Sequence, residues 1–254
     1  MIYSHSSIST FNQCPLKFKM RYIDKITPEL KKTIEAFMGG IVHDVLQELY
    51  ESVMEKRIPS FEKVQEILIN KWKNSWDDEI QIIKEGMKKE NYFESALRFL
   101  KNYYEKYHPF NEGEIIGIEQ EVRIIIKGKE LIGYIDRLEK KGDEYHIIDY
   151  KTNNWLKTQE EIDEDKQLAI YQIAVMEKFC TDKVVLNWHF LNFNELMQSK
   201  RTKEQINELK DELFKKINEI ESEKEFKACK SRLCDWCEYK KQCPAFITTL
   251  NDFN

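Results

Sequence analysis

Three consecutive segments rich in β-branched residues lie in the middle of the 254-residue chain, and they limit its fold more than any other feature. They span residues 114–128, 129–140 and 143–152. In each segment apolar and polar residues alternate, and glycines stand at or near the turns between them, as is typical of neighbouring antiparallel strands. The pattern predicts a three-stranded meander.

Helical periodicity precedes and follows this meander. We expect a first helix that is capped by Ser7 or Ser9 and kinked at Pro15, a second helix after Gly40, and a two-helix insertion at about 55–110. After the meander, the pattern indicates a helix, a strand and a further amphipathic helix, over residues 160–179, 183–193 and 203–223. The prediction is therefore a single α/β domain over residues 1–254.

Composition adds two constraints. No run of eighteen apolar residues occurs and the first residues do not resemble a secretion signal, so we expect a soluble cytoplasmic protein with no membrane contact. The net charge of −5 does not by itself indicate a nucleic-acid-binding protein. The net charge does not show how charged residues are distributed, however, and the basic residues after Cys14 and around the last cysteines allow a positive surface.

Two aspartates stand in otherwise apolar strands of the meander, where a charge is costly unless it is paired or bound to metal. A two-residue turn at Gly142 and Asp143 would place Asp136 directly opposite Asp149, with their side chains about 5 Å apart. A turn one residue earlier would place them diagonally, still within reach of one ion.

Lys151 lies two residues beyond Asp149, so strand alternation points both side chains to the same face. Two carboxylates and a lysine suit Mg²⁺ or Mn²⁺ with an ordered water. The alternative is that Asp136 pairs with Arg137 or Lys151 on an exposed sheet face and has no chemical role.

Further polar residues lie in the helices around the meander. Gln167 and Tyr171 are one helical turn apart, a spacing that ordinary helix-surface residues also show. His43 lies on or beside an apolar helical stripe, where a histidine bonded to a backbone group is the simplest interpretation.

Taken in order, these elements resemble the RecB-like nucleases of the PD-(D/E)XK superfamily. The resemblance rests on a Cys-Pro opening segment, "GGIVHDVL", "GYIDRLEK", "IIDYKT" and "QLAIYQ". It implies an αβββαβ nuclease core with a helical insertion, which cuts DNA with Mg²⁺ or Mn²⁺. The implied roles are catalysis for Asp136, Asp149 and Lys151, metal binding for His43, Asp136, Asp149 and the Tyr150 carbonyl, and DNA binding or orientation for Gln167 and Tyr171.

The roles of two acidic residues and of the basic residues in the first helix stay open. Glu119 and Glu121 lie in the first strand, where related enzymes often carry an acidic residue, but the sequence assigns a role to neither. A basic and aromatic set in the first helix would contact a nucleic-acid strand or form a solvated helix face: Lys17, Lys19, Arg21 and Tyr22.

Three cysteines close together near the end of the chain, Cys234, Cys237 and Cys243, form an incomplete metal site. Cys180 ends an apolar helix and is expected to be buried. Spacing alone does not choose between Cys229 and Cys14 as the fourth ligand. The family resemblance implies a 4Fe-4S cluster held by Cys14 with the three later cysteines, which would staple segment 226–247 to the start of the chain. Zn²⁺ is the alternative occupant.

The expected function is a metal-dependent deoxyribonuclease that acts as an exonuclease on single-stranded ends, in DNA repair, recombination or CRISPR-related processing. CRISPR-associated adaptation nucleases and AddB-type nuclease domains, which the chain resembles, carry the same arrangement of one cysteine before the nuclease core and three after it. One alternative is a non-catalytic or partner-dependent DNA-binding subunit of a helicase–nuclease or integration complex. Another is a zinc-stapled RNA-processing enzyme. The sequence contains no G-x-x-x-x-G-K-[ST] motif, so unwinding driven by ATP would require a partner.

Overall fold

A five-stranded mixed sheet forms the centre of the protein in the computed structural model, which describes residues 1–28 and 32–246. The strands lie side by side in chain order, and all neighbouring pairs are antiparallel except β3 and β4, which are parallel. The strands are β1 (Glu114–Ile126), β2 (Lys129–Lys141), β3 (Glu144–Lys151), β4 (Val184–Phe190) and β5 (Glu195–Ser199).

Helices cover both faces of the sheet. One face packs against α1 (His5–Gln13), α7 (Gln167–Phe179) and α8 (Lys203–Ser222) in a core that includes Leu131, Ile147 and Trp188. The other face packs against α3 (Ile34–Met54), α4 (Phe61–Ser75) and α5 (Lys89–Tyr107) through Ile148 and Tyr150. The short helices α2 (Pro15–Phe18) and α6 (Gln159–Asp163) complete the set. None of the helices within residues 1–28 and 32–246 has the length and apolar character needed to cross a membrane.

The turns of the meander set its register. Lys127 and Gly128, with φ of +47° and +82°, connect β1 to β2, as expected for a tight hairpin turn. The β2–β3 turn is formed by Gly142 and Asp143, since Lys141 pairs with Glu144. Of the two turns considered from the sequence, this is the one that places Asp136 opposite Asp149.

The first helix differs from the prediction. Ser4 caps α1 in place of Ser7 or Ser9, because Ser4 and Ser7 form a reciprocal capping box in which each backbone N–H donates to the other's hydroxyl. The helix then ends at Cys14, whose backbone is extended, and Pro15 begins a new helix followed by one π-helical turn. The kink predicted at Pro15 is therefore a break.

Two further differences arise from tertiary contacts. The helix α3 begins at Ile34, capped by the Thr33 hydroxyl, and contains the two glycines that were expected to precede it. A Cβ at Gly39 would lie 3.0 Å from the Thr152 hydroxyl, so this glycine allows the helix to approach the end of β3 closely. The short strand β5, which pairs with β4, was not predicted as a separate element.

Candidate active site

The two predicted aspartates lie where β2 and β3 separate. The last paired residues of these strands are Arg137 and Ile148. Towards the beginning of β2, the first residues of the chain lie where β3 would otherwise continue. The Tyr3 N–H donates to the Glu130 carbonyl at 2.9 Å, and Tyr3 forms a parallel bridge with Leu131. Continuing the β2–β3 register by one residue places Asp136 opposite Asp149. The point at which the two strands separate, next to the Arg137–Ile148 pair, is the fork.

His43 reaches the fork from α3. Its Nε2 lies 2.9 Å from the Tyr150 carbonyl oxygen, and its Nδ1 lies 3.4 Å from Asp136 Oδ2. The same Asp136 oxygen accepts a hydrogen bond of 2.8 Å from the Tyr150 N–H. Three of the predicted metal-binding groups, His43, Asp136 and the Tyr150 carbonyl, therefore meet around the backbone of one residue of β3.

The charge state of His43 follows from these neighbours. Burial lowers the pKa of the imidazole, but the hydrogen bond and charge of Asp136, the charge of Asp149 and the Tyr150 carbonyl raise it to about 9. In the absence of a cation, His43 is therefore protonated at neutral pH, and both of its ring N–H groups face acceptors. The surroundings of this ring are arranged to stabilise positive charge.

Asp149, Lys151 and Gln167 form a second group beside the first. Lys151 Nζ lies 2.6 Å from Asp149 Oδ2 and donates to Gln167 Oε1 at 2.9 Å, while Gln167 Nε2 donates to Asp149 Oδ1 at 2.9 Å. Burial raises the pKa of Asp149, although the ammonium of Lys151 opposes the shift. Burial lowers the pKa of Lys151, but Asp149 outweighs this effect and the pKa is raised, so the amine is charged at neutral pH.

Tyr171 links the helix α7 to β2. Its ring is buried and lies over Gly133, where an added Cβ would be 2.1 Å from the ring carbon Cε1. The glycine of "GYID" and the tyrosine of "QLAIY" are therefore one packing unit. This contact fixes the position of α7 against β2, and α7 carries Gln167, whose side chain lies at the fork.

Glu119 is a site residue whose role sequence reasoning did not assign. One ligand atom each from His43, Glu119 and Asp136 lie within 4.8 Å of one another, and within the described ranges no other three His, Cys, Asp or Glu residues meet this condition. Burial, and then the charge of Asp136, raise the pKa of Glu119. By contrast, Glu121 is an exposed residue that accepts hydrogen bonds from Arg123 and Tyr134.

A backbone irregularity directs Glu119 into the site. Its φ is +45°, a left-handed conformation that costs a non-glycine residue about 1–3 kcal/mol. Ile118 packs against the core around α3, whereas Val122 and Ile124, also even-numbered, lie in the opposite core. The strand's alternation is thus interrupted near Glu119, and no periodicity in the sequence signals this.

The donor set suits a hard divalent cation. Carboxylate oxygens and one imidazole nitrogen from His43, Glu119 and Asp136 match Mg²⁺ or Mn²⁺, which prefer oxygen ligands and keep several waters. Asp149 lies outside the group of three, with Oδ1 bonded to Gln167 and Oδ2 beside Lys151. Its charge nevertheless contributes to the pKa values of His43 and Glu119.

The cysteines form a separate region. Five of them surround one small cavity of about 50 Å³: Cys14, Cys229, Cys234, Cys237 and Cys243. The Cys229 N–H donates to Cys14 Sγ at 3.4 Å, so both candidates for the fourth ligand are present. The prediction of a buried Cys180 is wrong: this residue is exposed because it ends α7 in a left-handed conformation, with φ of +51°.

Two of the basic residues expected either to contact a nucleic-acid strand or to form a solvated helix face, Lys17 and Arg21, contact the cysteine segment. Lys17 and Arg21 lie 2.9 and 3.4 Å from the Glu238 carboxylate, and Lys19 pairs with Asp24. Tyr22 packs against the buried ring of Phe18. The charges of this helix are thus largely engaged within the chain.

A protein-family model matches residues 2–244, and its family is the PD-(D/E)XK nuclease superfamily. The chain belongs to this superfamily. Membership implies nuclease activity, and the mixed sheet with flanking helices is consistent with it. No curated protein gives a significant match to the sequence.

One solved structure supports the fold. A Eubacterium rectale protein described as a "putative exonuclease" is similar over 94% of this chain and 87% of its own, with a TM-score of 0.53 and 14% sequence identity. A second structure, SSO0001, aligns over 92% of this chain and 96% of its own at 16% identity. Its TM-score of 0.35 is too low to bear on the fold or the site.

Proposed function

We propose that this PD-(D/E)XK protein is a RecB-like deoxyribonuclease that requires Mg²⁺ or Mn²⁺ and degrades DNA from single-stranded ends. The observation that carries the proposal is the meeting of His43, Glu119 and Asp136 beside the Asp149–Lys151 pair at one strand fork. A purely structural ion pair would not need an acidic cluster and a charged lysine side by side. RNA cleavage remains an outcome of the test below.

The metal would be held by His43, Glu119 and Asp136, with Asp149 and the Tyr150 carbonyl at the same fork. When bound, such an ion lowers the pKa of water and offsets the negative charge that develops on a phosphate. To bind it, His43 must release the proton that it holds in the apo protein.

Lys151 is the group of this chain best placed to act on the phosphodiester. Its ammonium is charged and held in one position by Asp149 and Gln167, and a quarter of its side chain remains exposed. A fixed cation at this point would orient the attacking water and attract the scissile phosphate. Gln167 holds Lys151 and Asp149 together, and Tyr171 seats the helix that carries Gln167.

A preference for single strands is supported by Trp155. This residue lies four positions after Lys151, and its side chain is 64% exposed. Two hydrogen bonds connect the loop that carries it: the Asn153 side chain donates to the Trp155 carbonyl, and Asn192 donates to the Asn154 side chain at 3.3 Å. An exposed aromatic ring this close in sequence to Lys151 can stack on an unpaired base, a contact worth about 1–3 kcal/mol.

We also assign a 4Fe-4S cluster to Cys14, Cys234, Cys237 and Cys243, with a structural role. The support for this assignment is that these four cysteines line one cavity together with Cys229, in the arrangement of one early and three late cysteines that the family resemblance implies for a cluster. The segment already contacts the start of the chain through the Leu16 N–H and the Lys227 carbonyl.

The test uses anaerobically purified protein, single- and double-stranded DNA and RNA labelled at either end, and Mn²⁺ or Mg²⁺, with EDTA as a blank. We expect metal-dependent shortening of single-stranded DNA by wild type and none by Lys151→Ala. Equal cutting by both proteins, or no cutting of any substrate, would contradict the proposed activity. Wild-type cleavage of RNA alone would reassign the substrate.

The cluster is tested separately by iron and sulfide analysis. Cys14→Ser should lose iron, whereas Cys229→Ser should retain it. Stoichiometric zinc without iron would reject the cluster, and the opposite behaviour of the two variants would make Cys229 the ligand.

A further inference from the structure

A polar network is buried on the side of the sheet opposite α7, directly behind the fork. Arg137 and Glu139 of β2 are both about 95% buried, with relative exposures of 5% and 4%, and they form an ion pair of 3.1 Å. The guanidinium also lies 3.9 Å from the centre of the Tyr50 ring. Charges buried to this degree are costly, so a specific arrangement must hold them.

The hydroxyl of Tyr103, in α5 of the helical insertion, is the centre of this network. It accepts a hydrogen bond of 2.9 Å from Arg137 Nη1. It also lies 2.6 Å from the Tyr50 hydroxyl and 3.2 Å from the Tyr150 hydroxyl. One phenol therefore joins three other residues.

Each of these three residues belongs to an element that presents a metal-binding group. Tyr50 lies on α3, two turns after His43. Arg137 directly follows Asp136 in β2. The backbone of Tyr150 contacts both Asp136 and His43, through its N–H and its carbonyl. The Tyr103 hydroxyl thus connects the three elements that carry the donors, through side chains that are not themselves metal-binding groups.

We infer that Tyr103 is a positioning residue: its hydroxyl fixes the relative placement of α3, β2 and β3, and thereby the spacing of the donors that bind the divalent cation. This inference rests on the proposed function. It also gives the helical insertion a role in the site, because α5 supplies the central hydroxyl. Groups that orient metal ligands directly change metal affinity by about 10–100-fold when removed. Tyr103 acts one contact further away.

The experiment measures Mn²⁺ binding to apo protein by calorimetry, without DNA, for wild type, Tyr103→Phe and Tyr104→Phe. Tyr104 is a matched control because it also lies on α5 and also donates one hydrogen bond, to the Pro59 carbonyl at 2.9 Å, away from the network. We expect Tyr103→Phe to weaken Mn²⁺ binding by about threefold to tenfold. Tyr104→Phe should bind Mn²⁺ like wild type.

Two further measurements separate positioning from loss of folding. Thermal unfolding and circular dichroism establish that each variant is folded, and Tyr50→Phe, which removes one arm of the network, should weaken binding in the same direction if Tyr103→Phe does not fold. The cleavage rate of Tyr103→Phe should recover at saturating Mn²⁺, whereas a merely misfolded fraction would not recover.

The outcomes distinguish the positioning role of Tyr103 from the proposed nuclease function. If wild type binds no Mn²⁺, the proposed function fails. If wild type binds Mn²⁺ and the Tyr103, Tyr50 and Tyr104 variants bind it equally well, the positioning role of Tyr103 is overturned while the nuclease proposal stands.

Discussion

Replacing Lys151 with methionine removes the cation that lies 2.6 Å from Asp149 and leaves a similar side-chain volume. Asp149 is 5% exposed, so its carboxylate would be left buried with Gln167 as its remaining partner. Breaking a buried pair in this way costs about 3–5 kcal/mol. This loss of stability is limited, because the buried carboxylate can take up a proton instead of remaining charged. Protonating a carboxyl of ordinary pKa at pH 7 costs about 4 kcal/mol, so the loss cannot exceed about that value.

Because Asp149 can take up a proton in the variant, the free energy of unfolding of the variant depends on pH. A raised pKa in the folded state means that the folded protein binds more protons than the unfolded chain, so its stability increases as the pH falls. We therefore expect Lys151→Met to be about 3–4 kcal/mol less stable than wild type at pH 7, and the difference to narrow by up to about 1.4 kcal/mol per pH unit towards pH 5.

The assay is urea denaturation in EDTA at pH 7 and pH 5, with the double variant Asp149→Asn/Lys151→Met as the control. The double variant has no buried charge at this point and should recover most of the lost stability, although it should not cleave DNA. A double variant no more stable than Lys151→Met, or a stability difference that widens on acidification, would refute the idea that the unpaired Asp149 charge causes the loss.

Three other predictions test separate parts of the site and of the core around it. Gly133→Ala places a Cβ 2.1 Å from the Tyr171 ring and should destabilise the protein by about 1–3 kcal/mol in urea denaturation; unchanged stability would show that the ring moves freely. Glu119→Gln should lower the rate of DNA cleavage at least about tenfold, whereas Glu121→Gln should leave it unchanged, and equal rates for both would remove Glu119 from the site. Burial lowers the pKa of His189 to about 3, so the unfolded chain takes up a proton near pH 6.5 that the folded protein excludes. Wild type should therefore lose about 2 kcal/mol more stability than His189→Phe between pH 7 and pH 5, measured by urea denaturation, and equal losses would contradict the assigned pKa.

The part of the site that local patterns encode could be predicted from the sequence. Asp136 and Asp149 stand out as charges within apolar strands, and the Gly142 turn sets their register. Glu119 could not be chosen over Glu121, because its approach to the fork depends on one left-handed residue that interrupts the strand's alternation. The network around Tyr103 was equally hidden, since it joins residues that are far apart in sequence and individually resemble ordinary core aromatics.

The buried network explains why a costly arrangement lies behind a site that faces solvent. Apolar side chains in place of the Arg137–Glu139 pair would often make such a core as stable or more stable. They would also lack directional contacts, and helices and strands packed by apolar groups alone can shift without losing contact area. A divalent cation tolerates little such shift in its donors. Hydrogen bonds between one phenol and residues of α3, β2 and β3 restrict that movement, so we attribute the buried charges to the positional demands of the fork rather than to the stability of the fold.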